Sequence, residues 1–76
     1  MAPGFQRTPE RPARTAIRVL DRVRLREATD AEGFRFPAGA EGTAVLAYAG
    51  GEGFEVEFTK PFHAVVGIPA QKLARI

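Results

Sequence analysis

The sequence predicts one all-β domain behind a flexible amino-terminal segment, on three observations. Apolar and charged residues alternate with a period of two from Ile17 to Glu27 and again from Phe54 to Phe58, the spacing at which one face of a strand is buried and the other solvated. Glycines gather where a sheet has to turn, at Gly39 and Gly42 and through Gly50-Gly51-Glu52-Gly53. The chain has 76 residues, enough for a single domain with a limited buried fraction, and closing a small sheet hides most of its edges.

Taken in order, residues 1–15 carry three prolines, one glycine and no hydrophobic period, which reads as a flexible Pro/Arg-rich tail. Within it, Pro9-Glu-Arg-Pro12-Ala-Arg14 fits the Pro-x-x-Pro-x-Arg pattern of polyproline ligands, a short match that arises easily by chance. From Ile17 to Glu27 a first strand is expected. Ile17, Val19, Val23 and Leu25 share one face, and Arg18, Arg22, Arg24 and Arg26 the other. Asp21 and Leu20 break the pattern, marking a bulge or a strand start near Asp21, unless Asp21 satisfies backbone donors of a neighbouring turn.

The connection from Glu27 to Gly42 is long for a compact domain, so it is expected to be functional or to pack a segment of its own. Thr29 and Asp30 suit the start of one helical turn. Phe34 and Phe36 with Arg35 between them suit a contact surface, although a large apolar side chain tends to be buried, and at least one phenylalanine is expected to plug the barrel end. Gly39 and Gly42 ahead of Thr43 suggest a sharply bent strand entry, by positive φ or by close backbone approach. Thr43, Val45 and Ala47 then alternate with Ala44, Leu46 and Tyr48. The glycine-rich turn follows, and Phe54, Val56 and Phe58 return on one face with Glu55 and Glu57 on the other, a strong hairpin signal. Thr59-Lys-Pro61 makes the next turn before a valine-rich strand over Phe62 to Ile68. Pro69 to Leu73 reads as one tight helical turn, and Ala74 to Ile76 as a last short strand. Five short strands, a long first loop and a one-turn helix before the fifth describe an SH3-like barrel over residues 16–76.

Four segments carry a family resemblance. Leu20-Asp21-Arg-Val23-Arg-Leu25, Pro37-Ala-Gly39-Ala-Glu-Gly42-Thr43-Ala-Val45, Gly53-Phe54-Glu55-Val56-Glu57-Phe58 and Ile68-Pro-Ala-Gln-Lys-Leu73 together resemble an uncharacterised family of small bacterial SH3-like proteins, across residues 17–76. The chain departs from that pattern at Ala44, where a second valine is usual, and at Phe54, where tyrosine is. The resemblance implies a free-standing partner protein, of the kind that forms the antitoxin-like or accessory half of a two-protein module. More distantly, Gly33-Phe-Arg35-Phe-Pro37 followed by Gly39-x-x-Gly42 is similar to the SH3-like domain of nitrile hydratase beta subunits. That similarity implies a helper that grips a larger subunit, with Arg35 in the contact; the helical half of that family is missing here, and the segment between Pro37 and Gly39 is shorter.

Composition limits the function classes. The net charge of +2 hides a split: residues 1–26 carry seven arginines against Glu10 and Asp21, net +5, and residues 27–76 carry four basic against seven acidic groups, net −3. Such a division suits an acidic partner, or merely solubilises a tail and one strand face. There is no cysteine, which excludes disulfides, thiolate zinc sites and thiol catalysis and fits a reducing, cytoplasmic setting. No apolar run near the amino terminus suits a signal peptide or membrane span. With no serine and one histidine, a nucleophile and base would have to be built from threonine, lysine and His63, and Glu55 with Glu57 reads as a solvated pair sooner than an acid/base dyad. No cofactor or metal is implied.

The expectation is therefore a non-enzymatic binding protein for another small protein with an acidic surface, through Arg18, Arg22, Arg24, Arg26, Phe34, Arg35 and Phe36. Nucleic-acid binding by the arginine face is the competing reading. Against it stand Glu55 and Glu57 on a neighbouring strand and the absence of an aromatic stacking pair on that face.

Overall fold

The computed structural model describes residues 16–76; the expected tail and the Pro9-to-Arg14 motif lie outside them. The described chain is all-β. Its strands are β1 (Arg22–Leu25), β2 (Thr29–Ala31), β3 (Phe34–Phe36), β4 (Glu41–Ala47), β5 (Gly53–Phe58), β6 (Ala64–Pro69) and β7 (Leu73–Arg75), with short 3-10 turns at Ala49–Gly51 and Ala70–Lys72. Five strands form one antiparallel sheet in the order β6-β5-β4-β1-β7, and β2 pairs with β3 as a separate hairpin. A 3-10 turn precedes the last strand, as the sequence predicts, and a hairpin occupies the first long connection, where the sequence predicts a loop with one helical turn.

β1 is shorter than its alternation suggests. Val23 and Leu25 are buried and Arg22 and Arg24 exposed, but the pattern does not extend back to Ile17. The Arg18–Asp21 segment is a turn: Arg18 N–H donates to an Asp21 carboxylate oxygen at 2.8 Å, Asp21 N–H donates to Arg18 C=O at 2.9 Å, and Leu20 stands at φ 81°. Local bonding by the aspartate outcompetes the ladder here. Val19 and Leu20 are therefore exposed, and Arg18 is not on the strand face where the sequence places it.

The long connection is the β2–β3 hairpin, so Thr29 and Asp30 start no helix. Asp30 pairs across to Arg35, and the buried Thr29 hydroxyl donates to Glu27 C=O at 2.9 Å. The two-residue turn Glu32-Gly33 has positive φ at both positions, 51° and 87°, the requirement of a type I′ turn.

Both glycines at the entry to β4 have a physical cause. Gly39 has φ 88°, and a Cβ on Gly42 would stand 2.6 Å from Glu57 C=O and 2.8 Å from Val56 Cγ1. β4 thus crosses β5 at a distance only glycine allows. Further on, the β4–β5 register shifts between Ala44 and Leu46. This bulge ends the simple alternation: Ala44 faces the core, Val45 is half-buried, and Leu46 turns outward beside Glu55.

The core lies between one face of the sheet and the β2–β3 hairpin. Val23, Leu25, Phe36, Phe54, Val56, Phe58, Val66, Ile68 and Leu73 fill it, and the Phe36 ring stacks on Phe58 at 4.3 Å. Phe36 is fully buried, as expected of at least one of the two phenylalanines, and is removed from the contact residues for the same reason. The ladder does not close on itself among the described residues. β6 and β7 are the two ends of the order, a departure from the fully closed sheet.

Candidate interaction surface

Strand register fixes what stands on the face opposite the core. Arg22 pairs with Thr43, Thr43 with Glu57, and Glu57 with Val65, so one row runs across four strands from a cation through a hydroxyl and a carboxylate to an apolar side chain. The Arg22 guanidinium donates to Thr43 Oγ1 at 3.1 Å and lies 3.5 Å from the Glu41 carboxylate. Arg24 pairs with Glu41 on one side and Ala74 on the other, and forms no ion pair among the described residues. Arg26, just beyond β1, turns back instead, its Nε donating to Leu73 C=O at 3.0 Å. The four arginines expected on one face are therefore divided: Arg22 and Arg24 remain there, Arg26 serves β7, and Arg18 sits in the turn.

Beside Arg22 the sheet opens into a cleft of about 520 Å³, walled by Pro37 and Pro61 and carrying Arg22, Lys60 and Glu41. Both walls run directly into aromatic residues, Phe36 before Pro37 and Phe62 after Pro61. Phe34 is 43 % exposed and Phe62 37 %; their rings lie 5.3 Å apart, and both lean on buried Phe36, at 6.4 and 5.2 Å. Two half-exposed rings backed by a third form a rigid apolar platform. Arg35 flanks it, in an exposed ion pair with Asp30 at 2.8 Å.

Sequence reasoning missed Phe62 and Lys60. The valine-rich run was extended back through Phe62, whereas β6 begins at Ala64. The available signal was Pro61, which disfavours a central strand at its own position and so predicts that its neighbour lies in the turn.

Two further polar groupings complete the surface. His63 Nε2 is 2.8 Å from a Glu57 carboxylate oxygen, both exposed. That pair has no serine or cysteine anywhere in the sequence to act upon, and among the described residues no cluster of metal-ligating side chains occurs. At the opposite end of β5, the Tyr48 hydroxyl donates to Glu55. That bond holds the phenol above its ordinary range, reinforced by desolvation and by the negative charges of Glu55 and Glu32. No helix among the described residues is long and apolar enough to cross a membrane. Compared with known proteins, the chain matches no family model, no curated protein and no solved structure.

Proposed function

We propose that this chain is a non-enzymatic, cytoplasmic binding protein that docks on another small protein presenting an acidic segment. The observation that carries the reading is the junction of the Phe34–Phe62 platform with the Arg22/Lys60 cleft. Binding energy at protein interfaces concentrates in a few aromatic and arginine side chains backed by well-packed neighbours. Phe34 and Phe62 supply such anchors on a buried support, and Arg22, Arg24 and Lys60 supply the charge that selects an acidic partner and speeds encounter with it. The resemblance to free-standing small partner proteins points the same way. Nucleic acid fits less well, because Glu57 stands in the same row as Arg22 and repels a continuous phosphate backbone more than it does one acidic segment.

A tagged full chain used as bait in its native host, read by mass spectrometry, is expected to retain one stoichiometric protein. Phe34→Ala should weaken that complex by about 1–2 kcal/mol, and Arg22→Glu with Arg24→Glu by at least as much, with the fold unchanged by circular dichroism. Retention of nucleic acid instead, lost steeply with added salt, would transfer the arginine face to the competing reading. Unchanged affinity in both variants would remove this surface from the function.

A further inference from the structure

The ends of a β-sheet expose unpaired main-chain groups, and a second chain can add to them. In this molecule both ends are met by a charged side chain from a neighbouring segment. In β7, Ile76 N–H donates to Arg22 C=O, and Lys72 C=O accepts from Arg26 N–H. Even-numbered residues thus face β1 and Leu73 and Arg75 face outward. The outward carbonyl of Leu73 is the one that accepts from the Arg26 guanidinium.

β6 is longer and more exposed to addition. Gly67 N–H points away from β5, since it donates to a Glu32 carboxylate oxygen at 2.8 Å. By alternation, Val65 and Pro69 also face outward, and Pro69 has no N–H to offer. Glu32 therefore occupies one of the two outward donors of this edge and leaves only Val65. Its own geometry shows what holding that bond requires. Glu32 sits at φ 51° in the β2–β3 turn, a conformation unfavourable for a residue of its type and one that asparagine, aspartate or glycine would satisfy better. The side chains of Glu55, Tyr48 and Glu32 converge on Gly67: a Cβ there would lie 3.2 Å from a Glu55 carboxylate oxygen, 3.4 Å from the Tyr48 hydroxyl and 3.6 Å from the Glu32 oxygen.

We infer that Glu32 is a latch, fastening the β2–β3 hairpin along β6 and blocking the pairing of that edge with β6 of a second copy of this chain. The exposed Val65 side chain beside the edge makes such pairing favourable once the donor is released, and two identical edges meet antiparallel across a two-fold axis.

The test combines amide exchange with molar mass in solution. In the parent chain the Gly67 amide is expected to be protected and the protein monomeric. Glu32→Ala is expected to raise Gly67 exchange by about fivefold to tenfold, the loss of one hydrogen bond, and to produce dimers at concentrations where the parent has none. Glu32→Asn separates the latch from folding, because asparagine suits the turn but is too short to reach Gly67; it should keep or raise the melting temperature and still dimerise. Glu32→Gln retains an oxygen at the same reach and stays monomeric. Adding Val65→Pro to the asparagine variant removes the remaining donor and restores the monomer. A monomeric Glu32→Asn chain, a dimeric Glu32→Gln chain, or unchanged Gly67 exchange in Glu32→Ala would each overturn the inference, as would a parent chain already paired through β6.

Discussion

At the scale of single residues, the same amino acid takes opposite roles according to the strand position that presents it. Phe34 and Phe36 are two apart on β3, yet Phe36 is in the core and Phe34 is half-exposed beside Phe62. The sequence carries both fates but not their assignment, because a three-residue strand shows too little alternation to separate them. Tyr48 offers a direct measurement. It is the only tyrosine, and the chain has no tryptophan, so ultraviolet titration reports this phenol alone. Its hydrogen bond to Glu55 stabilises the neutral form in the folded state, so its midpoint is expected above the ordinary value of about 10. Glu55→Gln should lower it. The sign for stability follows from linkage: a phenol whose folded value is raised contributes fully below its unfolded value and loses that contribution as pH climbs through the folded one. Melting temperatures from pH 8 to 11 are expected to fall with a component that Tyr48→Phe abolishes.

At the scale of elements, local chemistry decides where each strand begins and bends. The Asp21 carboxylate closes the Arg18–Asp21 turn and starts β1 at Arg22, one of the two alternatives legible in the sequence. The β4 bulge was not legible. Thr43 to Tyr48 alternates well enough to read as a plain strand, and only the partner register places the shift between Ala44 and Leu46. The glycine spacing ahead of the β4–β5 pairing was informative, because Gly39 supplies a backbone angle that glycine adopts at least cost and Gly42 a contact that no side chain tolerates. Gly42→Ala drives a methyl group against the β5 backbone, where nothing can give way, and is expected to destabilise the fold by about 2–3 kcal/mol. Gly39→Ala strains φ without a clash and should cost about 1 kcal/mol. Urea unfolding of the two variants, with equal slopes, checks the ranking.

At the scale of the whole molecule, the paired ladders join residues of very different separation. The β4-β5-β6 meander is local, whereas β7 reaches β1 across almost the entire described chain, pairing Val23 with Arg75. The five strands of the main sheet and the buried stripes of β1 and β5 could be read from the sequence, since each rests on period-two patterning, whereas the β2–β3 hairpin and the strand order could not. The fate of the surface charges could not, because Arg26 and Glu32 find main-chain partners that only the assembled sheet brings near. Distant pairings form late, as loop closure is unfavourable before other contacts offset it. Leu73→Ala is therefore expected to lower stability by about 2–4 kcal/mol almost wholly through faster unfolding, with the refolding limb of the chevron unmoved. The bond from Ile76 N–H to Arg22 C=O, at 3.0 Å, has a practical corollary: the first and last strands of the five-stranded sheet meet at one corner. A short linker from Ile76 to Arg22, with new termini cut at the exposed Gly50-Gly51 turn, would yield a circular permutant of residues 22–76 that retains every ladder and gives up the packing of Ile17. The same corner would let the barrel be inserted as a cassette into a surface loop of a host protein.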